Sequence, residues 1–171
     1  MEVEGLTAAA VAASIAAGNV KLSSDLIQTV TSASGTLATG TTQIPWDNTI
    51  PQNTEGDQYL SVAITPTSAA NTLEIDVVLY LSSSSGTNLI AALFQDSTVN
   101  ALAAGVFSQS AATGVAVVAF KHFMAAGTTS ATTFKVRAGG NAGTVTVNGA
   151  GGTQMFGGVM SSRITVRELK A

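Results

Sequence analysis

The sequence contains no cysteine, which excludes disulfides, thiolate metal sites and cysteine nucleophiles. Charge is almost as scarce: seven Lys and Arg stand against ten Asp and Glu, only 10% of the 171 residues. That is too few cations to neutralise a phosphate backbone, so no nucleic-acid partner is expected. Histidine and tryptophan occur once each, as His122 and Trp46. No apolar run reaches the roughly 20 residues that span a bilayer. The longest candidate, Leu6 to Gly18, is mostly Ala and follows Glu2 and Glu4 instead of a basic segment. It reads as a short Ala-rich helix from Thr7, stopped at Gly18-Asn19, and neither a signal peptide nor a membrane insertion is expected.

What the chain has in quantity is Ala, Val, Ser, Thr and Gly, with 46% of its residues hydrophobic. A surface this poor in charge must be covered by uncharged hydrogen-bonding side chains or by other subunits. Composition therefore points to a component of an assembly more than to a free enzyme.

After Gly18 the apolar residues alternate. Val20, Leu22 and Leu26 to Val30 suggest extended chain, continued by Thr36 to Ile44. Ile44 to Pro51 reads as a rigid loop, because each proline pushes its predecessor out of the helical region. Asn53 to Asp57 reads as a turn, with Gly56 placed to take positive φ. The clearest strand is Thr72 to Ser82, with Leu73, Ile75, Val77, Leu79 and Leu81 on one face. Its other face begins polar and turns apolar at Val78 and Tyr80, so one end of it should be covered by something beyond its own sheet. Further strands are expected at Gln58 to Thr65, Leu89 to Gln95, Val115 to Met124, Thr132 to Ala138, Thr144 to Asn148 and Arg163 to Leu169. Val115 to Phe123 is apolar on both faces, which suits an outer face packed against another subunit. Seven or more short strands with Gly- and Ser-rich turns between them argue for an antiparallel jelly-roll β-sandwich.

Groups for catalysis are thin, and no enzyme is expected. His122 has no orienting carboxylate at any local spacing, so a satisfied core or interface imidazole is the plainer reading. Asp47, Glu55 and Asp57 share one loop region, but their spacing is not that of an EF-hand, and turn-forming roles fit better. Glu74 and Asp76 lie on one strand face, where a basic neighbour such as Arg163 or Arg167 would match them. The glycines of 149–152 precede no Lys-Ser/Thr pair and no helix, which excludes a P-loop. Trp46, in its rigid loop, offers a stacking surface for a sugar, although plugging a subunit boundary or the sandwich end is the simpler role. No metal and no cofactor are expected.

Three strings carry a resemblance: Thr41 to Asp57 (TTQIPWDNTIPQNTEGD), Ala92 to Thr98 (ALFQDST) and Gly127 to Gly139 (GTTSATTFKVRAG), with Gly157 to Ala171 (GGVMSSRITVRELKA) in keeping. Residues 28–171 resemble the C-terminal knob domain of bacteriophage tail fibres and tail needles. The resemblance implies a homotrimer of jelly rolls, similar to tumour-necrosis-factor-like heads, on the surface of a virion. Val78, Tyr80, Val118 and Phe120 are the residues expected at the trimer interface. Residues 1–35 would form a docking arm or short stalk bound to a baseplate, connector or capsid protein, and 36–171 the knob. The knob loops would contact a host surface glycan or outer-membrane protein. Because few residues precede the knob, a capsid decoration or cement protein is the alternative to a short fibre or spike.

Overall fold

The computed structural model describes residues 25–171. The expected helix from Thr7 and the extended residues Val20 and Leu22 lie outside them.

The described residues form an antiparallel two-sheet sandwich. Its strands are β1 (Leu26–Ser34), β2 (Ala38–Gly40), β3 (Asp57–Ile64), β4 (Thr72–Ser83), β5 (Thr87–Gln95) and β6 (Ala103–Gln109). The chain continues through β7 (Ala116–Ala125), β8 (Thr132–Gly140), β9 (Val145–Val147), the short hairpin β10 (Gly149–Ala150) and β11 (Thr153–Gln154), and β12 (Ser162–Leu169). The first sheet runs β1-β12-β4-β9-β2, with β7 on the free side of β4; the second runs β3-β8-β5-β6. The chain changes sheet at β2–β3, β3–β4, β4–β5, β6–β7, β7–β8 and β8–β9, the connectivity of a jelly roll.

The core follows from strand alternation. Leu73, Ile75, Val77, Leu79 and Leu81 of β4 are completely buried. They meet Leu60 and Val62 of β3, Leu89 and Leu93 of β5, and Phe134 and Val136 of β8 across the sandwich. Strand β5 is buried on both faces: Ile90, Ala92 and Phe94 form a second cluster under Ile44. The segment between β2 and β3 is thus laid over the outside of the second sheet. Gly56, at φ +62, turns that segment back, as its place in the sequence suggests.

Two features differ from the sequence reading. Leu26–Ser34, assigned to a docking arm, is instead the outer strand of the first sheet, paired with β12 from Leu26↔Leu169 to Ser34↔Ser162. Strand β6 has no counterpart among the strands that the sequence pattern predicts. Its Ala-Ala-Gly start shows no clear alternation, yet Gly105 is required there, because a Cβ would sit 2.8 Å from the Phe120 ring.

One carboxylate enters the sandwich. Glu168 shares the inward face of β12 with Ile164 and Val166 and is completely buried. It accepts hydrogen bonds from Gln28 Nε2 (2.6 Å), Asn71 Nδ2 (2.6 Å), Thr67 N (2.8 Å), Thr67 Oγ1 (2.8 Å) and Ser68 N (3.3 Å). Burial alone would raise its pKa; the bonds from Asn71, Gln28 and Thr67 overcome that and lower it from 4.5 to about 2. The stabilisation is therefore complete above the unfolded value and drains away as pH falls from 4.5 toward about 2. Glu168→Gln turns an acceptor into a donor among donors and is expected to lower unfolding free energy by about 2–3 kcal/mol at neutral pH. In urea titrations the gap between wild type and variant should narrow as the pH is taken down to about 2.

Candidate functional site

The outer face of the first sheet is divided along its length. Strands β4 and β7 pair from Thr72↔Ala125 to Leu81↔Ala116, which sets Tyr80 opposite Val117 and Val78 opposite Ala119. These four, with Val115 beyond them, form an apolar strip. Val117 is 48% exposed and Val115 43%, while Val78 and Tyr80 are half-buried by their neighbours. Among the described residues β7 pairs only with β4, so its other edge is open along a ten-residue strand. An open strand edge of this length, apolar over its first five residues, carries unpaired backbone N–H and C=O groups of the kind that proteins usually cover or blunt.

The other half of the face is charged. Glu74 Oε1 accepts hydrogen bonds from Lys121 Nζ at 2.6 Å and Arg167 Nη1 at 3.0 Å, and Lys121 Nζ lies 3.9 Å from Asp76 Oδ2. The Lys121 hydrogen bond, opposed by partial burial and aided by both cations, holds the Glu74 carboxyl below its usual range. Arg167 is thus the basic neighbour that the Glu74–Asp76 spacing called for, with Lys121 added from β7. Arg163 lies beside Val78 at the junction of the two halves and makes no ion pair among the described residues.

Of the four residues expected at an interface, Val78 and Tyr80 face outward, and Val118 and Phe120 do not. Val118 is 2% exposed and part of the core, with Phe120 packed against that core beside Gly105. Because β7 is apolar on both faces, alternation leaves two equivalent choices; the register with β4 selects Val117 and Ala119 as the outward pair. His122 shares the inward face and is half-buried. The loop carboxylates act locally: Asp47 binds Thr49, Glu55 Oε2 accepts from the Gln52 amide, and Asp57 accepts from the Thr42 amide and hydroxyl. No three His, Asp or Glu side chains gather among the described residues.

A second surface lies on the opposite broad side of the molecule. Where the segment before β3 crosses the second sheet it leaves an open groove of about 200 Å³. Its walls come from Pro45, Trp46, Asp47 and Thr49, and its floor from Ile90 of β5 and Gly105 and Val106 of β6. Trp46 is 59% exposed.

No protein-family profile matches the chain, and no curated protein sequence does. Its likenesses are to solved structures. Eiger, a tumour necrosis factor of S. frugiperda, is 12% identical over 82% of this chain and 92% of its own, with a TM-score of 0.49. The sugar-binding C-terminal domain of EclA is 14% identical over 66% of this chain and 73% of its own, at 0.39. VP2 of the infectious bursal disease virus subviral particle is 14% identical over 84% of this chain and 37% of its own, at 0.35. Likeness this distant does not reach beyond shared β architecture.

The two sides of β7 make opposite predictions. Val118→Ala opens a core cavity and should cost about 2 kcal/mol at any protein concentration. Val117→Ala should be within about 0.5 kcal/mol in dilute protein, with a larger loss appearing only as concentration rises. Denaturant midpoints measured across a dilution series check both.

Proposed function

We propose that the chain is a structural subunit of a bacteriophage virion, a short trimeric fibre or spike whose knob meets the host surface. The observation that carries this reading is the apolar strip of Val78, Tyr80, Val117 and Ala119 beside the open edge of β7. Such a surface favours burial against further copies of the chain, and cyclic symmetry buries one patch several times over. The charged half of the face adds orientation, since Arg163, without an ion pair among the described residues, stands ready for an acidic group of a neighbouring copy. The three-fold arrangement and the virion setting draw on the resemblance of residues 28–171 to phage knobs. Docking to a baseplate, connector or capsid protein then falls to residues before Leu26, because Leu26–Ser34 is committed to the sandwich.

Sedimentation tests the assembly. The full chain should sediment at micromolar concentration as three copies, and Val117→Asp as a folded single copy; a folded wild-type monomer overturns the reading. Immunolabelling of particles tests the setting. Label confined to the tail, with adsorption blocked by the antibody, fits a fibre, whereas label over the whole head assigns the chain to a cement role.

A further inference from the structure

We infer that the groove beneath Trp46 is a binding site for a neutral hexopyranose of a surface glycan. As the host-contacting element of the virion subunit proposed above, the groove rests on that reading for its setting; the binding itself does not depend on it.

Three properties of the groove point to a sugar. The first is an aromatic platform that folding leaves uncovered. Trp46 is the only tryptophan of the chain, and most of it remains in water although apolar Ile90 and Val106 lie in the same groove. An indole face beside a shallow apolar floor matches the C–H-bearing face of a pyranose. The second is an acceptor with spare capacity. Asp47 Oδ1 takes the Thr49 amide at 2.8 Å and the Thr49 hydroxyl at 2.6 Å, while Oδ2 has no protein partner among the described residues. Oδ2 is free to accept a sugar hydroxyl, and Thr49 Oγ1, already a donor to Asp47, keeps lone pairs for a second one. The third is rigidity. Pro45 and Pro51 frame the loop, Ile44 is buried beneath it, and its far end is pinned by Ala101 N to Pro51 O (2.9 Å) and Asn53 N to Val99 O (2.8 Å). Little ordering remains to be done on binding.

Two further observations narrow the ligand. No Lys or Arg lines the groove, and Asp47 is its one charge, so sugars bearing carboxylate or phosphate are disfavoured. The groove is on the broad face opposite the apolar strip, so copies that associate through the strip leave it facing outward.

Because Trp46 is the sole tryptophan, fluorescence of the full chain excited beyond the absorption of Tyr59 and Tyr80 reports on this site alone. The probes are the methyl glycosides of galactose, glucose, mannose and N-acetylglucosamine, with glucuronic acid as the anionic control. At least one neutral glycoside should shift the emission saturably, and glucuronic acid at least ten-fold more weakly. Asp47→Asn should weaken the response about ten-fold, as expected for a lost hydrogen bond to a charged acceptor. Val106→Glu, a change at an exposed position, should abolish it with the circular dichroism unchanged. The inference is overturned if no neutral glycoside acts at tens of millimolar, or if both variants respond like wild type. It is also overturned if the emission tracks protein concentration instead of sugar, which would mean that a second copy covers Trp46. Sugar binding by a chain that sediments as a monomer would keep the site and discard the trimer; a trimer blind to every sugar would do the reverse.

Discussion

The inner row of β4, Leu73 to Leu81 at alternate positions, is shielded from water along its full length, and the rest of the sandwich is registered against it. Burying one face of a strand fixes its partners, because a slip of one residue would turn the whole row outward. Strand β7 is held along one edge, and β12 followed by β9 along the other. The register that satisfies the core then dictates what the outside displays. Once Val118 must face inward, Val117 has to face outward beside Tyr80, and the apolar strip is a consequence of the core as much as a surface in its own right.

Most of the strand framework was legible because β4, β8 and β12 alternate cleanly between aliphatic and polar residues. The loop at Ile44 to Pro51 and the positive φ of Gly56 were legible for equally local reasons, steric in both cases. The outward face of β7 was not, since Val115 to Phe120 is apolar at every position and period two carries no information there. Strand β6 was hidden by its small residues, of which Gly105 is set by the Phe120 ring on the neighbouring sheet and by nothing nearby in sequence. Glu168 did leave a signal: continuing the alternation of Arg163 to Arg167 by one step places an acid on the aliphatic side. The partners that make this tolerable, Gln28, Thr67 and Asn71, lie about 100 or more residues away in sequence, beyond any local pattern.

The scarcity of charge also acquires a structural meaning. Of the few ionisable groups, one is a buried acceptor that ties β1 and the β3–β4 connection to β12, and four more, Glu74, Asp76, Lys121 and Arg167, form one cluster. Lys135 and Arg137 are occupied with backbone carbonyls at Asp96, Glu55 and Gly56, where they fasten loops. The charge left over is sparse for a surface, which is largely Thr, Ser and Asn and carries exposed apolar side chains on both broad faces and at Phe156 and Val159. A molecule built this way presents hydrogen-bonding groups without a strong long-range field, so its recognition depends on contact geometry more than on attraction at a distance.

The pairing of Leu26 with Leu169, followed by the bond from Lys170 N to Asp25 O at 2.7 Å, brings the two ends of the described chain to the same pole. A tether joined ahead of Asp25, with the opposing load borne at the far pole of the sandwich, would pull β1 along its own axis, past β12. In that geometry the ladder is loaded in shear: its hydrogen bonds bear tension together and do not open one after another like a zip. Gln28, locked to Glu168 near the pulled end, adds a further catch. Under such a load the β1–β12 ladder resists as one unit, a property that equilibrium stability alone would not reveal.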